Sequence, residues 1–556
     1  MNFFCSKDCP DLCGVKATVT SDGYKFSGVQ EKWSPTGFVC SKFKVFAERE
    51  INNGLTSWQV IDNVKTEYPD NGTAIEKMAE FLNEFKDKKI LYMRGSGSLA
   101  YNMCYWDVFF SQFPDCAGTT GGPCDETGGD AHEEDFGVLL NPPASNLEKA
   151  RTIILYGKNA AVSSQHLYAY LKDMKKKGRK IIYIDPVKTK TSKIADKYIA
   201  INPSCDGILA CALLCAMGLE SGHDINSLIS KTGVSSADFE LLLSEISAGQ
   251  CAHIQGFGIQ RHANGMNAYQ WINRLAVKTG SEDMLYYSHS SKRLWTKQKT
   301  TFKNYIHVDK IAESLADGNF DLFVNAAANP AMTYPDTNLW TRGLSRTKTL
   351  VIDTNNTETS AHADFFLKVG GMFSQADFMG SYFFPHSYTR EKLTDEISDS
   401  EAAAMLAARL GLKIEVKAEA EVPRKEQENR KYKTAELPLI MPEEGEGFKL
   451  LTSSHHSYLN SQILPGMEKG RQVVFINEKD AEELGIKTGD DVRVCGKTGG
   501  YKAEAVVTEG IVRQTIMSWK SIPMKDGCVN SAIGNKLTDS GNGLVLYGQY
   551  VEVKKI

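Results

Sequence analysis

The feature that most constrains this chain is a repeat within it. Ile153-Ile-Leu-Tyr-Gly157-Lys-Asn159 leads through a helical pattern to Lys176, then to Ile181-Ile-Tyr-Ile-Asp185-Pro-Val-Lys-Thr189 and Ala195-Asp196. A second copy reads Leu322-Phe-Val-Asn-Ala-Ala-Ala-Asn329-Pro330, a helical stretch, Leu350-Val-Ile-Asp353-Thr-Asn-Asn-Thr357 and Ala363-Asp364. In each copy the first aspartate stands four residues before the threonine and eleven before the second aspartate. Strand-helix-strand units of this kind demand parallel sheets, because two parallel strands need a crossover between them. An aspartate at the end of the second strand is where open α/β sheets hold the ribose or base of a nucleotide, although aspartates there also cap loops. Two matched copies predict two nucleotide-bearing ligands.

A chain of 556 residues exceeds what one hydrophobic core serves, so several domains are expected. The spacing predicts a cysteine-bearing head over 1–47 and an α/β domain built from 48–145 together with 305–420. A second α/β domain covers 146–304, a charged and solvated linker 421–447, and a β-barrel 448–556. Within the first α/β domain a helix is predicted over Ala74 to Phe85 and a strand over Ile90 to Arg94. The barrel is read from short β-branched runs such as Val473-Val-Phe-Ile and Asp491-Val-Arg-Val between Gly-Asp and Gly-Gly turns. The fold class is therefore multidomain α/β: a small N-terminal iron-sulfur or metal head, two doubly wound domains related by the repeat, and a C-terminal barrel.

With 64 basic against 68 acidic residues, net charge -4, no field marks nucleic acid or an anionic membrane as partner. A small-molecule ligand is the better expectation. The N-terminus has neither an apolar export segment nor a twin arginine, and the apolar run around Ile208 to Leu219 is too short for a bilayer. A cytoplasmic protein without a membrane span is expected. Thirteen cysteines, an odd number, suit metal ligation or reactive thiols better than a disulfide framework.

Cys5, Cys9, Cys13 and Cys40 are spaced C-x3-C-x3-C-x26-C. Three ligands on one loop with a fourth returning later fit a [4Fe-4S] cubane; four thiolates also hold zinc, usually as two pairs. Lys42, two residues past the last of them, would lie between such a cluster and a second cofactor, or on the surface.

Cys5-Ser-Lys-Asp-Cys9-Pro-Asp-Leu-Cys13 with Gly37-Phe-Val-Cys40-Ser-Lys42 resembles the iron-sulfur head of the molybdopterin oxidoreductases of the dimethyl-sulfoxide-reductase type. The likeness continues through Gly157-Lys-Asn159, Pro203-Ser-Cys-Asp206, Gly256-Phe-Gly258-Ile-Gln260-Arg261, Asn329-Pro330 and Asn535-Lys-Leu-Thr538-Asp, and so spans essentially the whole chain. It implies two molybdopterin guanine dinucleotides clamping one Mo or W. Asn159, Asp185, Thr189 and Asp206 would serve one dinucleotide, and Asn329, Asp353 and Thr357 the other. Gly157, Gly258, Gln260 and Arg261 would line the groove, while Ser457, Asn460, Ser461 and Thr538 would close over the pterins.

The resemblance also implies a protein ligand to the metal. Cys124, in Gly121-Gly-Pro-Cys124-Asp125, stands where it is expected, and a thiolate suits such a metal; Cys104, Cys116 or a merely buried Cys124 are the alternatives. Asp125, Glu126, His132, Glu133 and Glu134 form either a proton-exchanging run, with Asp125 and His132 as catalytic candidates, or an ordinary helix start. The implied activity is two-electron redox on a small substrate under anaerobic conditions, with one cluster linking the site to a ferredoxin-like or iron-sulfur partner. Asp125 directly after Cys124 departs from the histidine usual in formate dehydrogenases of this type. A non-redox hydratase and a non-catalytic electron-transfer or scaffold subunit are the competing readings.

Overall fold

The computed structural model describes residues 2–21, 23–31, 37–51, 54–97, 101–139, 141–288, 300–381, 383–384, 387–416, 431–458, 470–522 and 524–556. The repeat folds into two parallel sheets of matching order. In one, the strands run Lys197–Ile199, Lys180–Ile184, Thr152–Tyr156, Cys251–Gln255, Leu285–Tyr286 from edge to edge, all parallel. In the other, Phe365–Lys368, Lys348–Asp353, Leu322–Ala326, Ile90–Arg94 and Cys116–Thr120 stand in the same sequence. The second sheet is extended by Asn304–His307 on one edge and by the antiparallel strands Ser57–Ile61 and Val64–Tyr68 on the other. Strands at the centre, such as Ile153–Tyr156 and Leu322–Val324, are buried along their whole length, as parallel strands covered on both faces must be.

Both sheets reverse their winding between the same pair of strands. Thr152–Tyr156 meets Cys251–Gln255 there, and Leu322–Ala326 meets Ile90–Arg94. A crevice opens at the carboxyl ends of strands at such a switch point, and ligands of open α/β folds bind in it. The backbone crosses closely at both crevices. A Cβ on Gly256 would stand 2.1 Å from Gly157 O, and one on Gly95 would stand 2.2 Å from Ala327 O.

The N-terminal head is a three-stranded antiparallel sheet, Asn2–Phe4, Gly14–Thr20 and Gly23–Gly28, followed by the helix Ser41–Ile51, which continues past residue 47. Its small core of Phe3, Val15, Phe43 and Phe46 closes only by packing on Met372 and Phe373. Arg390, fully buried, donates to Ser6 Oγ at 2.9 Å, and Glu50 accepts from Met372 N at 2.8 Å. The C-terminal strands Phe448–Ser453, Thr515–Trp519, Val473–Asn477, Gly500–Thr508, Asp491–Cys495 and Tyr547–Lys555 close in that order into a barrel.

Of the expected linker, residues 421–430 lie outside the described residues; 431–441 are largely exposed, as expected, and are also pinned to the fold. Thr434 Oγ1 donates to Asp135 at 2.5 Å, Asn267 Nδ2 to Pro438 O at 2.8 Å, and Ile440 N to Asn267 Oδ1 at 2.9 Å. The segment is a strap along the helix Gly265–Lys278. No helix among the described residues is long and apolar enough to cross a membrane.

Candidate functional site

Three clefts meet around one carboxylate, Asp8, which lines all of them. The first, of about 1150 Å³, lies at the switch point of the sheet centred on Thr152–Tyr156. Its walls include Gly157, Asn159, Asp185, Thr189, Asp206, Gly258 and Arg261, with Lys42 and Cys124 at the inner end. The second, of about 770 Å³, lies at the equivalent point of the other sheet, with Asn329, Asp353 and Thr357 in its walls.

The two clefts are built by the same hydrogen bonds. Thr191 Oγ1 donates to Asn159 Oδ1 at 2.8 Å and accepts from Ala161 N at 3.0 Å. Thr359 Oγ1 donates to Asn329 Oδ1 at 2.8 Å and accepts from Ala331 N at 3.2 Å. Asp185 Oδ1 accepts from Val187 N at 2.9 Å, and Asp353 Oδ1 from the equivalent Asn355 N at 3.3 Å. The second aspartate of each copy is structural: Asp196 Oδ2 accepts from Ile181 N and Asp364 Oδ2 from Thr349 N, both at 2.8 Å. Thr191 and Thr359, both fully buried, were not singled out in the sequence; their shared position behind each asparagine is the signal the repeat held.

Burial sets the charge of these walls. Removal from water pushes Asp185 and Asp353 up to about 6. Asp206, buried and facing the charge of Asp185, is pushed to about 7. Carboxylates so placed gain from N–H donors of a ligand. Arg261 is held flat between the rings of Phe257 (5.2 Å) and Tyr547 (5.7 Å), and its Nη1 donates to Tyr547 OH at 3.4 Å. Its Nε and His262 Nδ1 are buried without a hydrogen-bond partner among the described residues.

Cys124 sits where the first cleft joins a third cavity of about 860 Å³. The loop before it is pinned: Gly122 N donates to Asn542 O at 2.9 Å and Leu544 N to Gly122 O at 3.1 Å. Glu126 Oε2 accepts from Cys124 N at 3.2 Å and Asp125 N at 3.0 Å, which fixes the start of the helix Glu126–Phe136. Gln260 and Thr538 hold the same helix rather than a cleft wall. Gln260 Oε1 accepts from Gly128 N at 2.8 Å, and the hydroxyls of Thr538 and Thr127 lie 2.8 Å apart. Burial, with Asp125 alongside, raises the Cys124 thiol well above its ordinary value.

Two catalytic expectations are not brought to the clefts. Asp125 and His132 are buried but absent from the walls, and His132 stacks on Tyr287 at 3.7 Å. Only Glu133 and Glu134 of that run face solvent. Cys104 and Cys116 are buried instead of lining a cleft, Cys116 in a cluster with Trp106, Phe110 and Tyr92. Ser457 is exposed, and Ser453, Ser454 and Tyr458 line the first cleft in its place. Asn460 and Ser461 lie outside the described residues.

The four head cysteines surround a separate cavity of about 450 Å³. No cysteine among the described residues is in a disulfide. Burial pushes Cys5 up to about 12 and raises Cys9, Cys13 and Cys40. Buried thiols of this kind ionise only when cations replace their protons. Among the described residues no three His, Cys, Asp or Glu side chains are grouped closely enough to hold a metal ion. Lys42, 5% exposed, lines both this cavity and the first cleft, its Nζ donating to Val162 O at 2.8 Å.

Residues 73–367 match the molybdopterin oxidoreductase family, and residues 448–547 match the molybdopterin dinucleotide-binding domain. Probable oxidoreductase YyaE of Bacillus subtilis (strain 168) is 24% identical over 673 aligned residues, covering 99% of each chain. Probable oxidoreductase YoaE of the same organism is 23% identical, covering 99% of this chain and 98% of its own. Among solved structures, acetylene hydratase from Pelobacter acetylenicus shares the fold with a TM-score of 0.77 at 13% identity, covering 100% of both chains.

Proposed function

The chain belongs to the molybdopterin oxidoreductase family, and from that premise we propose that it is a Mo- or W-dependent enzyme doing two-electron redox on a small substrate. It holds two molybdopterin guanine dinucleotides and one [4Fe-4S] cluster, and it exchanges electrons with a ferredoxin-like or iron-sulfur partner. The observation that carries this reading is the pair of equivalent switch-point clefts sharing Asp8, the first of them reaching Cys124, with a four-thiol cavity beyond Lys42.

The residues present fit these groups. Asn159, Asp185, Thr189 and Asp206 offer polar and acidic partners for one guanosine, and Asn329, Asp353 and Thr357 for the other. Unspent donors on Arg261 and His262 suit pyrophosphate or pterin oxygens. Four thiols around one cavity, three of them from a single loop, suit a cubane. Mo or W, when bound, supplies the two-electron couple; Cys124 offers it a soft anionic ligand on a rigid loop. The protein's own work is to orient the dinucleotides, hold the Cys124 loop through Glu126 and Gln260, and keep Lys42 between cleft and thiols.

Hydration without net redox is the second reading, favoured by the shared fold with an acetylene hydratase. A viologen-coupled assay on anaerobically prepared enzyme separates the two. Redox turnover consumes or generates reduced dye in proportion to product, whereas hydration yields product with no change in the dye.

A further inference from the structure

The first cleft carries a cation that its twin lacks. Lys158 follows Gly157 in the turn after the central strand, and the matching residue of the second copy, after Ala327, is Ala328. Both copies then hold an asparagine, Asn159 or Asn329, by the same threonine hydrogen bond. The amine is therefore no requirement of the turn, nor of a nucleotide pocket built on that asparagine. Lys158 is 2% exposed, and its Nζ donates to Ser164 Oγ at 3.1 Å and Ser288 Oγ at 2.9 Å. Both acceptors are neutral hydroxyls, and Ser288 is itself held by donating to Gln255 O at 2.9 Å. An ammonium buried on neutral partners is costly unless opposite charge acts on it from nearby.

That charge lies in the cysteine loop. Burial lowers Lys158 to about 8, and Asp11 and Cys9 oppose the lowering. Ser164, which holds Nζ, follows Ser163, whose carbonyl oxygen lies 3.8 Å from Cys9 Sγ. Val162 and Ser163 form a wall shared by the first cleft and the four-thiol cavity, and Lys158 stands on its cleft side. We propose, resting on the iron-sulfur reading above, that Lys158 sets the reduction potential of the cluster in the head through a fixed positive charge held behind this wall. Cluster potentials respond to the net charge around the thiolates, and charges in a buried wall are screened little by salt. The change is one electron entering the cluster, with no bond formed or broken, and dithionite supplies it in the assay. Positive charge favours the added electron, so its loss lowers the potential.

The test is a mediated redox titration of anaerobically purified holoenzyme, as wild type, Lys158→Met and Lys158→Gln, followed by the electron paramagnetic resonance signal of the reduced cluster. It is run near pH 6, where the lysine is charged. Methionine fills the space without charge, and glutamine keeps an N–H donor for the serines without charge. In both variants the oxidised-to-reduced ratio at the wild-type midpoint should rise at least threefold, a fall of about 28 mV or more for one electron. Iron and guanine nucleotide content should be unchanged. Smaller shifts in both variants with iron intact would overturn the proposal and leave the cluster reading standing. A shift in Lys158→Met alone would assign the effect to the serine hydrogen bonds and not to charge. Loss of nucleotide with the potential unchanged would give Lys158 to the dinucleotide instead. Wild type holding zinc in place of iron would overturn the iron-sulfur reading, and the proposal with it.

Discussion

Gly157 and Ala327 stand in the same left-handed turn, at φ 53° and 52°, one after each central strand. Gly157 N donates to Ile184 O at 2.9 Å and Ala327 N to Ile352 O at 2.8 Å, so the two turns are stitched to the next strand alike. Two copies of one strand-helix-strand unit have kept their backbone while their side chains diverged.

That pairing makes opposite substitutions informative. A methyl group on Gly157 is strained in the left-handed region by about 1–2 kcal/mol, and it would also press Gly258 Cα and Ile259 at 3.3 Å. Gly157→Ala should lower the denaturant midpoint. Ala327→Gly relieves the same strain, offset by unfolded-state entropy, and should leave stability within about 1 kcal/mol of wild type or above it. The reverse order of midpoints would mean that the turns are not equivalent.

Thr191 and Thr359 should each govern one nucleotide site. Replacement by valine leaves an asparagine carbonyl and a backbone amide unpaired in a buried wall, a cost of about 1–3 kcal/mol per unsatisfied group. Guanine nucleotide released from the denatured holoenzyme is the readout. Each valine variant should lose close to one nucleotide of two per chain, and the double variant both. Full retention in every variant would show that the asparagines do not touch the cofactor.

The acidic wall gives a pH dependence to the cofactor-free protein. The folded state raises Asp206 from 3.8 to about 7, so it binds a proton more tightly than the unfolded chain does. Its contribution to stability is therefore best at low pH and is lost as pH rises from about 4 through 7. Asp206→Asn removes this burden, so the cofactor-free variant should match wild type near pH 4 and exceed it by about 4 kcal/mol near pH 8. Equal stabilities at both pH values would place Asp206 in water.

Cys124 separates a catalyst from an electron conduit. Cys124→Ala should keep its iron while substrate turnover falls by more than about 100-fold, beyond what loss of a second-shell partner causes at metal sites. Unchanged turnover with intact iron would assign the chain to the conduit class.

How far the residues alone carried the reading depended on whether the signal was local. Strand Ile90–Arg94 and the repeated strands followed from apolar runs bounded by glycine and asparagine, and the helix predicted over Ala74 to Phe85 begins slightly earlier, at Asn71, capped by Asp70. The four head cysteines, grouped by their spacing, lie around one cavity, and Cys124, pointed to by the family resemblance, lines the first cleft. Asp8 was not legible, because its place comes from distant chain segments meeting around it at three clefts. His132 sat in an acidic run that hid its buried face, and the charges of 431–441 concealed long-range partners on Asp135 and Asn267. Ser457 failed for a one-residue reason: its neighbour Tyr458 turns inward while it turns out.

The most direct test of the whole account is elemental analysis of anaerobically purified protein for Fe, Mo, W and Zn. The account expects about four Fe and about one Mo or W per chain, the content of one cubane and one pterin-bound metal. Zinc at one per chain, with neither Mo nor W, would contradict it and leave the four cysteines as a structural staple.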